Sequence, residues 1–154
     1  MNQREEPRIS LRRFTDDDAA VLQRKQYPEI PLREIRAMMA EWETQTYRGR
    51  YFAIFAITAD GAVVGSVSLY EQAAGAASIG VEVYPDERRK GYAAEGMLRM
   101  TELAGQRGFR VIRDQVRADN QASRALHRKL GFETDGQVRK NAKGKEVLPY
   151  TLRL

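Results

Sequence analysis

Cysteine is absent from this chain, and histidine appears once. The first absence removes a disulfide framework, a thiolate nucleophile and a cysteine-based zinc finger. The second leaves too few imidazoles for a histidine-rich metal site, so no metal is expected. No apolar run approaches the length of a membrane-spanning helix. The first residues, Met1-Asn2-Gln3-Arg4-Glu5-Glu6, lack the apolar core of a signal peptide. A cytoplasmic location with no membrane partner is the resulting expectation. Internal repeats, linkers and low-complexity segments are missing too, and 154 residues suit one domain, 1–154, with a single core.

What is present is ordinary for a globular chain, with 42% hydrophobic and 31% charged residues. The net charge of +5 and pI of about 9.6 fit a nucleic-acid partner, a polyanionic cofactor or a solvated basic surface. The lysines and arginines are spread along the chain and no nucleic-acid motif accompanies them, so no nucleic-acid partner is expected.

Periodicity supplies the elements. Arg8 to Phe14 alternates and reads as a strand. Thr15-Asp16-Asp17-Asp18 caps a helix from about Asp16 to Lys25. After Pro28 and Pro31, Ile35, Met38, Met39 and Trp42 recur at helical spacing over Leu32 to Thr44, and Tyr47 to Arg50 is a turn. Tyr51 to Thr58 and Ala62 to Tyr70 are strands joined at Ala59-Asp60-Gly61. A looser turn over Glu71 to Ala77 leads to a third strand, Ser78 to Tyr84. A helix from about Arg88 to Arg107 turns Ala94, Met97, Leu98, Leu103 and Ala104 inward. Then come a strand from Phe109 to Arg117, a short helix from Ser123 to Leu130 stopped by Gly131, and strands over Gly131 to Arg139 and Glu146 to Leu154. The order implies an antiparallel meander followed by a right-handed parallel crossover. The fold class is α/β (α+β), with a mixed, mostly antiparallel twisted sheet of about seven strands flanked by about four helices.

One stretch carries chemistry as well as fold. Pro85 ends the third strand of the meander, Asp86 offers a cap, and Arg88-Arg89-Lys90-Gly91-Tyr92-Ala93 leads into the helix. Gly91 lets the backbone come close to a ligand, and Ala93 is nearly as small. The first turn of a helix has unpartnered N–H groups and a partial positive charge, so it can hold a phosphate. Two arginines and a lysine oppose the helix dipole there and make sense beside an anion. With Arg88, Gly91 and Ala93 at the matching positions, the stretch resembles motif A, (Gln/Arg)-x-x-Gly-x-(Gly/Ala), of the GCN5-related N-acetyltransferases. Val116 to Phe132 resembles motif B of the same family, with Asn120, Ser123, Gly131 and Phe132 at its spacing. The element order is also that of the family, so the resemblance covers nearly the whole chain.

That resemblance implies acetyl-coenzyme A as co-substrate, its pyrophosphate on Arg88, Arg89, Lys90, Gly91, Tyr92 and Ala93. It implies that the strands Ser78–Tyr84 and Phe109–Arg117 splay apart. Backbone groups of Val81 and Val83 would hold the pantetheine arm and polarise the thioester carbonyl, with Asn120 on the arm and Ser123 near the phosphates. The implied reaction is direct attack of a primary amine on the thioester in a ternary complex. The acceptor is a small-molecule amine or a protein amino group, seated between the region Asp16–Thr44 and the final hairpin.

Such a reaction needs a base for the ammonium proton and an acid for the leaving thiolate. Many relatives place a tyrosine four residues before the motif B glycine, where this chain has His127, read either as the acid or as a partly exposed helical residue. Tyr84, Tyr92 and Tyr150 are other hydroxyl donors. Glu82 points away from Val81 and Val83, as a base or as a solvated, ion-paired side chain. Asp114 shares a face with Ile112 and Val116, where a carboxylate is costly unless paired. It answers an arginine such as Arg110 or Arg113, or it meets the substrate's ammonium group. Relatives often dimerise through late strands, and Val147, Leu148, Leu152 and Leu154 give the terminal hairpin an apolar edge, so a homodimer is expected. Two alternatives stand beside the enzyme: a basic RNA-binding module, and a domain that binds coenzyme A without catalysis.

Overall fold

The computed structural model describes residues 6–154; the segment read for a signal-peptide core lies outside the described residues except for Glu6. In chain order the elements are β1 (Ile9–Arg12), α1 (Ala19–Lys25), α2 (Leu32–Glu43), β2 (Thr46–Tyr47), β3 (Arg50–Ala59), β4 (Ala62–Ala73) and β5 (Ala76–Val83), then α3 (Tyr92–Gln106), β6 (Val111–Arg117), α4 (Gln121–Lys129), β7 (Arg139–Lys140) and β8 (Glu146–Arg153). Among the described residues, one sheet runs in the order β1-β3-β4-β5-β6-β8-β7, with β2 paired to the start of β3. All neighbours are antiparallel except β5 and β6, which α3 connects.

Strand alternation divides the core between two faces. On one face, Ile57, Val67, Leu69, Ile79 and Val83 meet Met97, Met100 and Ala104 of α3. On the other, Ile54 and Ala56 meet Leu22 of α1 and Ile35 and Met39 of α2. Burying each of these large apolar side chains stabilises the fold by about 2 kcal/mol. Helix α3 comes close to the sheet at Gly96, where an added Cβ would lie 2.5 Å from Cδ1 of Ile57.

Several expectations need correction. Helix α3 begins at Tyr92, not Arg88, because Arg89 and Gly91 take left-handed backbone angles (φ 66° and 81°) that a helix cannot include. A 3-10 turn over Pro85–Glu87 precedes that loop, and another over Asp16–Asp18 precedes α1. Leu98 is 44% exposed; Met100 and Thr101 take inward places on α3. The loose turn at Glu71 to Ala77 is instead a tight one, since β4 and β5 keep pairing, past an irregularity, to Ala73 and Ala76. The expected strand over Gly131 to Arg139 does not form; only Arg139 joins one, the two-residue β7. Thr134 and Asp135 side chains take the N–H groups of Gly136 and Gln137, which removes them from a ladder, and a single bridge at Glu133–Thr151 remains. Val147 and Leu148 are buried within the subunit, so the terminal hairpin does not present the apolar edge expected of them.

The Gly96 contact makes a testable coupling. Ile57→Val, which removes Cδ1, is expected to cost about 1 kcal/mol in the wild type. In a Gly96→Ala background it should cost at least about 0.5 kcal/mol less, because there it relieves a clash. Urea unfolding of the four proteins measures the difference; additive effects would mean α3 shifts freely on the sheet.

Candidate active site

The parallel ladder between β5 and β6 contains two pairs, Ala76–Val111 and Ala77–Ile112. Beyond them each strand follows its other neighbour. β5 stays paired with β4 as far as Gly65–Val83, and β6 with β8 from Val111–Arg153 to Arg117–Val147. A gap therefore opens beside the C-terminal half of β5. The N–H of Tyr84 donates to the Val64 carbonyl at 2.9 Å, so the even-numbered residues of this strand turn their backbone groups towards β4. By antiparallel alternation, Val81 and Val83 turn theirs into the gap.

The mouth of the gap is the loop before α3. Gly91 caps the helix in a left-handed conformation, φ 81°. Among the described residues, the N–H groups of Arg89, Lys90, Gly91, Tyr92 and Ala93 find no acceptor. Successive free N–H groups around left-handed residues form an anion-binding concavity, strengthened by the helix dipole. The Tyr92 ring is buried in the core, so only its backbone faces this site. Beside the loop lies a groove of about 450 Å³ whose lining includes Arg8, Lys90, Arg99 and Lys129. The Arg88 side chain turns back: Nε donates to the Val83 carbonyl at 3.0 Å and Nη2 to Glu82 Oε1 at 3.2 Å. Lys90 reaches Glu87 at 3.0 Å, and Arg89 is exposed.

Across the gap, Asn120 caps α4, its Oδ1 accepting from the Ser123 N–H at 3.0 Å. One turn on is His127, which is 3% exposed and therefore not the partly exposed residue considered from sequence. Its Nδ1 lies 2.7 Å from the Ser123 carbonyl and its Nε2 2.7 Å from Asp114 Oδ2. The Ser123 carbonyl only accepts, so Nδ1 donates to it, and Nε2 donates to the Asp114 carboxylate when the ring is protonated. Burial pulls His127 down, but the Asp114 hydrogen bond, the Ser123 carbonyl and the Asp114 charge outweigh it and raise the pKa above its ordinary value. Asp114 thus answers a histidine, not the arginine expected of it. Tyr150 packs on the His127 ring at 5.3 Å between centroids, and its buried hydroxyl has no partner among the described residues. A cavity of about 410 Å³ where the strands part is lined by Ser78, Asp114, Gln115 and Tyr150 among others.

Glu82 belongs to the opposite face of the sheet, that of α1 and α2, and is about half exposed. Sequence reasoning missed its surroundings. Lys25 of α1 pairs with Asp86, which brings the α1 end, including Tyr27, against this loop. Burial first, then the charge of Asp18 and the nearby Tyr27 and Glu82, pushes the Tyr84 phenol up to about 12. Asp18 had been read only as a cap; it also accepts two hydrogen bonds from Arg12, at 2.7 and 2.9 Å. No spacing in the sequence signals the contact of Lys25 with Asp86, 61 residues apart in the chain.

Residues 8–133 match the model of the acetyltransferase (GNAT) domain, and the chain belongs to that family. An L-methionine sulfoximine/L-methionine sulfone acetyltransferase from Pseudomonas aeruginosa is 32% identical over 115 residues, which cover 71% of this chain and 66% of that protein. Its counterpart from Pseudomonas paraeruginosa is also 32% identical, over 63% of this chain and 59% of that protein, so the match spans less than two thirds of either relative. The fold is similar to that of a ribosomal L7/L12 alpha-N-protein acetyltransferase in complex with coenzyme A (TM-score 0.80, 20% identity, 95% of this chain and 94% of that one). It is also similar to a microcin C7 self immunity acetyltransferase in complex with acetyl-CoA and AMP (TM-score 0.80, 17% identity, 98% and 94%).

The His127–Asp114 pair predicts a pH dependence of stability. Because the folded histidine holds its proton more tightly than the unfolded one, the stabilisation is complete below the unfolded pKa, about 6.5. It is lost as pH rises through the raised folded value, at no more than about 1.4 kcal/mol per pH unit. Urea titrations from mildly acidic to mildly basic pH should show the decline in the wild type and not in Asp114→Asn. Parallel curves for the two proteins would remove the ion pair.

Proposed function

We propose that this chain transfers an acetyl group from acetyl-coenzyme A to a primary amine by direct attack in a ternary complex. The observation that carries this reading is the gap beside β5, where Val81 and the Val83 N–H offer free backbone groups, and Arg88 holds the Val83 carbonyl, next to a loop of unpartnered N–H groups. A ligand with amides along one arm and a pyrophosphate at its end fits both. Thioester activation of the acetyl group is the co-substrate's own contribution.

The chain's contribution is binding and proton handling. Backbone N–H groups from Arg89 to Ala93 hold the pyrophosphate, and Arg88 moves from Glu82 towards it. Val81 and Val83 orient the arm, with Asn120 and Ser123 across the gap. Holding both substrates together supplies much of the rate by proximity. Glu82, released from Arg88, takes the amine proton on the α1/α2 face. Both nitrogens of His127 are engaged, so His127 and Asp114 act as positioning residues that hold α4 against β6. The unpartnered Tyr150 hydroxyl is the donor to the leaving sulfur.

The acceptor in this proposal is a small-molecule amine or a protein amino group. The relatives' names span both, an amino-acid analogue in one and a ribosomal protein in another. Family membership takes the place of the RNA-binding alternative. The same proposal includes one cytoplasmic domain over residues 1–154. A homodimer would form through the outer edge of β8, which β7 pairs only at Glu146 and Val147.

Thiol release from acetyl-coenzyme A with a panel of amines tests the activity; binding without turnover would leave a coenzyme A-binding domain. Two further outcomes are expected. Gly91→Glu should weaken acetyl-coenzyme A at least tenfold in calorimetry, while Gly91→Ala, which carries the same backbone strain without the charge, should weaken it much less. Glu82→Gln and Tyr150→Phe should each lower kcat by roughly 10²-fold, the scale of a positioned base or acid. A wild-type rate in either variant would return that residue to a structural role.

A further inference from the structure

On the α1/α2 face, Glu82, Gly80 and Ser78 of β5 stand opposite Ser66, Ser68 and Tyr70 of β4, because directly paired residues share a face. Between Glu82 and Tyr70 the side chains are small, and Gly80, Ser68 and Ser78 keep solvent access. They form the floor of a trough. At its far end Tyr70 pairs with Phe52 of β3. Tyr47 lies edge-on to Tyr70, 5.9 Å between centroids, and 6.3 Å from Phe52. With Trp42 these rings line a cavity of about 770 Å³, which also has Glu41 and Arg48 in its wall. Its wall at Tyr70 is directly across from Ser78, which lines the cavity where β5 and β6 part.

We propose that the aromatic cavity is the tail subsite of the acceptor, and that the acceptor is a primary amine carrying an elongated apolar tail. This rests on the acetyltransfer reading above. The two ends of the trough differ in charge as such a molecule requires. Glu82 draws the ammonium group to one end. At the other, Glu41 and Arg48 offset each other and four rings offer apolar surface, which suits an uncharged tail. Distance sets the shape of the occupant. Ser78 and Glu82 are four residues apart on one strand, roughly 13 Å. A compact amine held at Glu82 does not reach the rings; a long one does.

The test is a series of straight-chain amines, from propylamine to dodecylamine, acetylated with acetyl-coenzyme A and followed by thiol release. Once the chain is long enough to enter the cavity, kcat/KM should rise by up to about fourfold per methylene, the factor for one buried CH₂. Trp42 is the chain's one tryptophan, so its emission should shift with dodecylamine and not with propylamine. Thr46→Arg, at an exposed position in the cavity wall, should lower the dodecylamine-to-propylamine ratio of kcat/KM at least tenfold. Turnover that is independent of chain length, with no Trp42 response, overturns the subsite and leaves acetyltransfer standing. Absence of turnover with every amine overturns acetyltransfer, while the Trp42 titration still decides whether the cavity takes an apolar tail.

Discussion

The parallel ladder between β5 and β6 runs through Ala76–Val111 and Ala77–Ile112 and then stops. A longer ladder would satisfy the backbone groups of Val81 and Val83 within the sheet, as buried backbone polar groups require. Stopping early leaves them unpaired within the sheet, and Arg88 takes only the Val83 carbonyl. Two constraints hold the strands apart: β6 is committed to β8 along its whole length, and β5 to β4. The helix joining β5 and β6 is pressed onto the sheet at Gly96 and Ile57, which places its free N–H groups at the open end of the gap. The open edge of β5 and the loop of free N–H groups beside it are thus consequences of one interrupted pairing.

The same opening gives the two faces different chemistry. On the α3 side, α4 closes over β6 with the buried His127 ring held 2.7 Å from the Asp114 carboxylate. Removing either partner would leave an uncompensated charge out of water, which is costly, so this contact fixes where α4 sits. On the α1/α2 side, Glu82 stays near solvent beside a trough of small residues. A compact ion pair on one side and an accessible carboxylate on the other suit a site where one substrate is gripped and the other exchanged. Arg88 links the two functions, since it now covers the Val83 carbonyl and Glu82 together.

Much of this was legible along the chain because it is local. The alternation of Ile79, Val81 and Val83, the glycine before α3, the asparagine cap of α4 and the Gly131 stop each follow from a few adjacent residues. The left-handed angles of Arg89 and Gly91 were harder to see, because only one of those residues is glycine. The failed strand at Gly131 to Arg139 has a local cause that was overlooked: Thr134 and Asp135 hydrogen-bond their own backbone. Leu98 shows the limit of helical periodicity, which defines a stripe without saying how much of it the sheet will cover.

By itself, the sequence determined the element order, the glycine-containing loop before α3 and the two motifs that mark the family, since backbone preference and short-range spacing act between neighbours. Only the tertiary structure decided partners. Asp114 and His127 are 13 residues apart and meet because β6 and α4 pack. Tyr47 and Tyr70 meet because β2 and β4 flank β3. A side chain's charge state and the shape of a cavity depend on what surrounds them in space, and sequence spacing carries no measure of that.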